Sequence, residues 1–198
     1  MHPDTARREL RPIDDDDEGL PDIVAIAGTT SLAGPTNRLT VLAAERLSAA
    51  GHEVTSVLLP QVNGAALAEG DLRDVQLSAA VRLVEQARAL VLVSPARLVT
   101  FCASLERFLA VLPKRSLRDK IVLPIATAPS RKLVAPFDRA LGLALKRLGK
   151  PQLLPTLFIA VDDLHTDPRV DPTETASLRL DRALLGLHRA SEHAQQVG

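Results

Sequence analysis

The stretch Gly28-Thr29-Thr30-Ser31-Leu32-Ala33-Gly34-Pro35-Thr36-Asn37 gathers glycine and hydroxyl side chains immediately before a helical pattern. Backbone N–H groups at a helix start, with hydroxyls beside them, make a site for an anion such as phosphate. The same residues also suit an ordinary strand-to-helix turn with Thr36 as its cap, and the pattern leaves both roles open. Neither G-x-G-x-x-G nor G-x-x-x-x-G-K-S/T is present, so a dinucleotide fingerprint and ATP hydrolysis both lose support. Two further segments belong beside the first: Ser94-Pro95-Ala96-Arg97-Leu98-Val99-Thr100-Phe101 and Ala126-Thr127-Ala128-Pro129-Ser130-Arg131. They are placed to flank a planar group extending from the phosphate. Arg97, Arg131 and Lys132 either add positive potential there or stand as solvated surface charges.

The other reactive side chains form no catalytic or metal constellation. His52, His165, His188 and His193 lack ligand spacing to Cys or carboxylates and read as helix or loop residues. Asp162-Asp163 suits a polar strand end as well as a metal pair. Ser31 has no G-x-S-x-G elbow around it. Cys102 sits near a helix start, where a thiol is either activated or simply buried.

These segments need elements to hold them, and the chain supplies a regular alternation. Residues 22–27 form a continuous β-branched run ended by Gly28, the pattern of a strand buried on both faces. A helix follows over 36–50, its Leu39, Leu42, Ala43 and Leu47 at helical spacing and Gly51 its stop. Strands are predicted at 53–59, 89–94, 120–127 and 152–161, the last interrupted near Pro155. Helices are predicted at 72–88, 101–112, 133–148 and 172–195, with regular helix in the third beginning at Pro136. Residues 61–71 read as a polar connection. Five strands alternating with five helices predict an α/β three-layer sandwich with a five-stranded parallel sheet of order 2-1-3-4-5. In such a sheet ligands bind beyond the carboxyl ends of the strands, where strands one, three and four end.

Composition narrows the function. The 198 residues hold 24 basic and 24 acidic side chains, four Phe, and neither Trp nor Tyr. So few aromatics argue against base-stacking nucleic-acid binding. Apolar runs such as 23–27 and 89–93 are too short to span a bilayer, and no basic stretch precedes an apolar run at the start. With one cysteine there is no disulfide framework, and a cytoplasmic protein without membrane or nucleic-acid partner is expected. Residues 1–21 carry seven acidic and three basic side chains, leaving 17 acidic against 21 basic in the remainder. The run Asp14-Asp15-Asp16-Asp17-Glu18 has nothing apolar to bury, so 1–20 reads as a disordered acidic arm and 21–198 as the folded domain.

Over roughly residues 22–190 the chain resembles the NAD(P)H-dependent FMN reductase family. Within it, the flavin reductases that serve alkanesulfonate monooxygenases are most similar. The resemblance is densest over 83–163, in Ala89-Leu-Val-Leu-Val-Ser-Pro95, Leu105-Glu-Arg-Phe-Leu-Ala-Val-Leu-Pro113 and Asp119-Lys-Ile-Val-Leu-Pro-Ile-Ala-Thr127. It implies a flavodoxin-like fold, FMN as cofactor and NADPH or NADH as hydride source. It further implies a homodimer or homotetramer associating near 101–112, and a flavin-dependent monooxygenase as partner. The family's phosphate loop maps onto Gly28, Thr29, Thr36 and Asn37, with Ser31 where that loop carries an Arg. Its Pro-x-Tyr segment along the isoalloxazine maps onto Pro95, Ala96 and Arg97, and a second tyrosine onto Phe101. Ala103 replaces a glycine of the family, and Ala128-Pro129 replaces a Gly-Gly pair whose backbone meets the ring. The resemblance implies Gly28, Thr29, Ser31, Thr36, Asn37, Pro95, Ala96, Arg97, Thr127, Ala128 and Ser130 as the cofactor-binding residues. No catalytic or metal-binding side chain is expected, because the cofactor carries the chemistry.

Two functions follow. One is a flavin reductase that hands reduced flavin to a monooxygenase; the other is a flavodoxin-like paralogue, catalytically degenerate, acting as a binding, assembly or regulatory subunit.

Overall fold

The computed structural model describes residues 21–97, 101–164 and 172–197, with side chains of the last helix described through residue 194. The expected acidic arm at 1–20 lies outside the described residues, as do Leu98, Val99, Thr100 and His165. β1 (Ile23–Ala27) is buried at all five positions and sits between β2 (Val54–Leu58) and β3 (Ala89–Pro95), all parallel. β4 (Ile121–Ala128) follows β3, and two short strands, β5 (Gln152–Leu153) and β6 (Leu157–Ala160), both pair in parallel with β4. Counted as one interrupted strand, they complete the expected order 2-1-3-4-5.

The interruption has a cause on each side. Proline has no N–H to give a ladder and is rare in a central strand, yet Pro124 lies within β4. Backbone groups alternate between the two neighbours of a strand. Ile121 N donates to Arg88 beside β3, whereas Val122 O accepts from Leu154 N at 2.9 Å. Even-numbered residues of β4 therefore face the last strand, and the donor missing at Pro124 faces the break. There the register slips by one residue, from Val122↔Leu153 to Ile125↔Leu157, around Leu154, Pro155 and Thr156.

The period-two alternation of the buried strands divides the core into two layers. Ile23, Ala25, Val91, Val93, Leu123 and Ile125 meet α1 (Pro35–Ala49) and α6 (Glu174–Val197) through Leu39, Leu47, Leu180 and Leu187. Val24, Ile26, Leu90, Leu92, Val122 and Ala126 meet the helices of the opposite layer. With α2 (Gly64–Glu69), these are α3 (Val75–Gln86), α4 (Ala103–Val111) and α5 (Val134–Lys146). The result is the three-layer, flavodoxin-like α/β sandwich. Among the described residues no helix is long and apolar enough to cross a membrane.

Three local expectations change. α1 begins at Pro35 with Gly34 as its N-cap, so Thr36 lies inside the first turn and caps nothing. α2 occupies part of the stretch read as a connection. Asn63 Oδ1 accepts from Ala65 N and Ala66 N at 3.0 and 3.3 Å, and Gly70 at φ +69° ends the helix. At six residues α2 is too short to show a helical period. α5 starts at Val134, two residues before Pro136, because a first-turn proline removes only an N–H that has no intrahelical partner.

Candidate functional site

The loops after β1, β3 and β4 meet at the carboxyl edge of the sheet, and buried hydroxyls join them. Ser94, fully buried at the end of β3, is the hub. Its Oγ accepts from Cys102 N at 3.1 Å and lies 3.3 Å from both Gly28 O and Pro95 O, to which its proton is shared. Gly28 N donates to Val93 O, and Ala96 N donates to Thr127 O at 2.9 Å, so both ladders extend into the loops. Ser104 Oγ donates to Thr29 O at 3.2 Å, tying the start of α4 to the first loop. Across the sheet, Thr36 Oγ1 and Thr127 Oγ1 are 3.2 Å apart, both residues buried.

The first loop is shaped from within. Thr29 Oγ1 accepts from Ser31 N at 3.3 Å. Asn37 Nδ2 donates to Ser31 O and Leu32 O at 3.1 and 2.9 Å, so its amide orientation is fixed by two carbonyls. The other end of that amide, Asn37 Oδ1, is buried and has no hydrogen-bond partner among the described residues. Thr40 Oγ1 donates to Thr36 O at 2.9 Å and steadies the first turn of α1. Gly28 is required by packing: a Cβ there would stand 2.7 Å from Leu105 Cβ, so α4 could not approach so closely.

The expected cofactor residues therefore separate by exposure. Gly28, Thr29, Thr36, Asn37, Ala96, Thr127 and Ala128 are buried and position the loops. Ser31, Arg97 and Ser130 are exposed at the edge and Pro95 is half-buried; Thr30, Pro129 and Arg131, beside them in sequence, are exposed as well. Arg97, Arg131 and Lys132 form no ion pair among the described residues. Ser130 Oγ accepts from Lys132 N at 3.3 Å and caps the 3-10 turn of Arg131–Leu133. Phe101, matched to a tyrosine beside the ring, instead lies in the core, with its ring edge-to-face on Phe137 at 6.2 Å.

The fit to a flavin mononucleotide differs between its two ends. Thr30 and Ser31 hydroxyls and the start of α1 present donors suited to a phosphate. Asn37 Oδ1 is an acceptor sealed beneath the loop, so it offers nothing to a phosphate oxygen. The ring end is poorer in donors. By the ladder alternation Ala128 N–H faces β6, its side chain joins the core layer that holds Phe137, and Pro129 has no N–H.

Sequence reasoning missed the roles of Ser94, Thr40 and Ser104. A serine ending an otherwise apolar buried run was the available signal for the first. It also missed that His52 Nε2 and His188 Nδ1 are 2.8 Å apart, joining the end of α1 to α6, because 136 residues separate them. Asp163 accepts from Thr173 Oγ1 at 3.3 Å at the approach to α6. Cys102 is buried, with Sγ 3.3 Å from Ser104 Oγ. No group of three or more His, Cys, Asp or Glu able to hold a metal occurs among the described residues.

Comparison with known proteins places this edge in context. The FMN reductase (NADPH) of Escherichia coli strain K12 is 27% identical over 165 residues, covering 82% of this chain and 85% of that one. The FMN reductase (NADPH) of Pseudomonas putida strain KT2440 is 29% identical over 136 residues, 69% of each. Among solved structures, the apo form of an NADH:FMN oxidoreductase superposes with TM-score 0.76 at 24% identity, covering 86% of this chain and 89% of that one. An oxidoreductase from Corynebacterium diphtheriae does so with TM-score 0.64 at 18% identity, covering 82% and 91%. Both likenesses establish the fold. The sequence profile described as NADPH-dependent FMN reductase matches residues 21–160, which take in all three loops of the carboxyl edge, and the chain belongs to that family.

Proposed function

We propose that the chain is an FMN reductase that binds FMN at the carboxyl edge and NADPH or NADH against it. Bound FMN supplies the group that accepts a hydride from the nicotinamide. The protein's part is to bind and orient. Thr30, Ser31 and the first turn of α1 hold the phosphate; Thr29, Thr36, Asn37 and Thr127 keep that loop in shape from below. Pro95, Ala96 and Arg97 on one side and Ala128, Pro129 and Ser130 on the other bound the ring, with Arg97 and Arg131 adding positive potential for the nucleotides. Reduced flavin leaves for a flavin-dependent monooxygenase in the cytoplasm, a compartment that the free thiol of Cys102 suits.

The observation that carries this reading is the hydroxyl network of Ser94, Thr36 and Thr127, which joins the three loops in a chain of this family. Association of copies near α4 is part of the proposal. Leu105, Phe108, Leu109 and Leu112 are buried in the chain's own core, so α4 offers a partner Ala103, Glu106, Arg107 and Ala110.

One observation favours the degenerate binding or assembly subunit: Ala128-Pro129 leaves no free backbone donor where a ring lies. Anaerobic NADPH and NADH oxidation, assayed with purified chain and added FMN, separates the two. Catalysed FMN reduction supports the reductase. Bound FMN without turnover assigns the chain to the degenerate subunit, and absence of FMN binding removes the flavin reading altogether.

A further inference from the structure

The edge of the sheet opposite the candidate site carries a groove of about 390 Å³ that the flavin chemistry does not use. The connection from α4 to β4 contributes Lys114, Arg115 and Arg118, and the end of α5 with the turn to β5 contributes Lys146, Arg147 and Lys150. The two loops are bound to one another: Leu117 N donates to Leu148 O at 2.8 Å, over the buried side chains of both residues. They also touch backbone to backbone. Gly149 has φ +124°, and a Cβ on it would meet Arg118 N at 2.7 Å. Six cations are thus held on a compact surface. Asp119 Oδ2, 3.4 Å from Arg118 Nε, is the one carboxylate ion-paired with any of them among the described residues. Such a concentration of like charge calls for a counter-charge.

The sequence contains one of matching size. Asp14, Asp15, Asp16, Asp17 and Glu18 are five consecutive carboxylates, in a segment with an excess of four negative charges. Topology brings the chain to the right edge. Asp22 O accepts from Arg88 N and Ala89 N at the start of β3; Arg88 O accepts from Ile121 N at the start of β4; Lys120 O accepts from Gln152 N at the start of β5. These steps run along the amino edge from the point where residue 21 is reached to the groove itself. At about 4.8 Å between neighbouring strands, three steps span roughly 14 Å. Glu18 and Asp14 stand four and eight residues before Asp22, a reach of roughly 13 to 29 Å in an extended chain.

We propose that this groove holds the acidic run Asp14-Asp15-Asp16-Asp17-Glu18 of its own chain. The run neutralises the two basic loops and straps the segment before β1 across the amino edges of β3, β4 and β5. The contact is electrostatic and is weakened by salt. The proposal does not rest on flavin binding, since the groove lies at the end of the sheet away from the flavin site.

The full-length protein tests it directly. A carbodiimide joins carboxylates to lysine amines that touch them, and the chain has five lysines. Lys114, Lys146 and Lys150 line the groove, Lys132 stands at the carboxyl edge, and Lys120 Nζ is bonded to Glu85 O and Ala87 O. Isotopically light and heavy protein are mixed, cross-linked and read by mass spectrometry. The expected result is linkage of residues 14–18 to Lys114, Lys146 or Lys150 within one chain. Its yield should fall at least about fivefold between about 20 mM and about 500 mM NaCl, as the screening length drops from roughly 20 to roughly 4 Å. Linkage only between light and heavy chains overturns the proposal by giving the groove to a second copy. Linkage to Lys132 or Lys120 alone, or none from residues 14–18, overturns it outright.

Discussion

Thr36 Oγ1 and Thr127 Oγ1 lie 3.2 Å apart, buried between the first turn of α1 and the end of β4. This pair spans 91 residues of sequence and fixes the first turn of α1 relative to the loop after β4. A buried hydroxyl deprived of its partner costs about 1–3 kcal/mol, whereas removing both partners together costs less. Thr36→Val and Thr127→Val are each expected to lower stability by that amount, and the double variant by less than their sum. Urea unfolding of the four proteins measures the coupling. Strict additivity contradicts the pairing.

Two glycines of the first loop should respond differently to alanine. At Gly28 a Cβ meets Leu105 Cβ at 2.7 Å, and this neighbour can yield only if α4 moves. At Gly34 the nearest atom is Ser31 O at 3.6 Å, with φ −81°. Gly28→Ala is expected to cost about 1–3 kcal/mol, and Gly34→Ala less than about 1 kcal/mol. Thermal unfolding that ranks them the other way contradicts the packing assigned to Gly28.

At the end of β4, Pro129 and Ala128 differ in exposure, and so in what glycine would do at each. Pro129 is exposed and lacks an N–H, so Pro129→Gly restores a donor and is expected to tighten FMN binding about fivefold, the worth of about 1 kcal/mol. Ala128 is buried in the core, with its N–H turned toward β6. Ala128→Gly is therefore expected to lower stability without a gain in affinity. Flavin fluorescence titration of both variants decides this; tighter binding by Ala128→Gly and not by Pro129→Gly reverses the assignment.

Asp71 gives a pH signature away from the site. Its carboxylate accepts hydrogen bonds from Arg73 Nε and from Arg73 N, which lower its pKa to about 2. Because the folded value lies below the unfolded one, the stabilisation is complete above about pH 4 and is lost as pH falls toward 2. Carboxyl NMR should show Asp71 titrating near 2 and moving up toward 3.8 in Arg73→Ala. An unchanged midpoint in that variant contradicts the cause.

Much of this architecture was legible because buried parallel strands are written as apolar runs. Residues 22–27 and 89–94 contain β1 and most of β3, and the loops that follow them carry the glycine and hydroxyl residues found at the carboxyl edge. What stayed hidden depends on direction and distance. A proline in a sequence does not reveal which neighbour its missing donor faces, so Pro124 could not be tied to the break at Pro155. The family resemblance matched Phe101 to a tyrosine beside the ring, yet tertiary packing sets it against Phe137. Thr36 had the look of a cap, but Pro35 suits the first helical position, and that placed Thr36 one residue further in. The contact of His52 with His188 had no local signal at all.

If the loop over residues 28–37 holds the phosphate of a flavin nucleotide, the protein should distinguish FMN from riboflavin, which lacks the phosphate, when both are titrated under the same conditions. Loss of a charge-assisted phosphate contact worth about 1.5–3 kcal/mol corresponds to a difference of roughly ten- to a hundredfold. FMN is expected to bind more tightly than riboflavin by that factor, and the advantage should shrink in Ser31→Ala. Equal affinity for the two flavins, or no binding of either, contradicts the account.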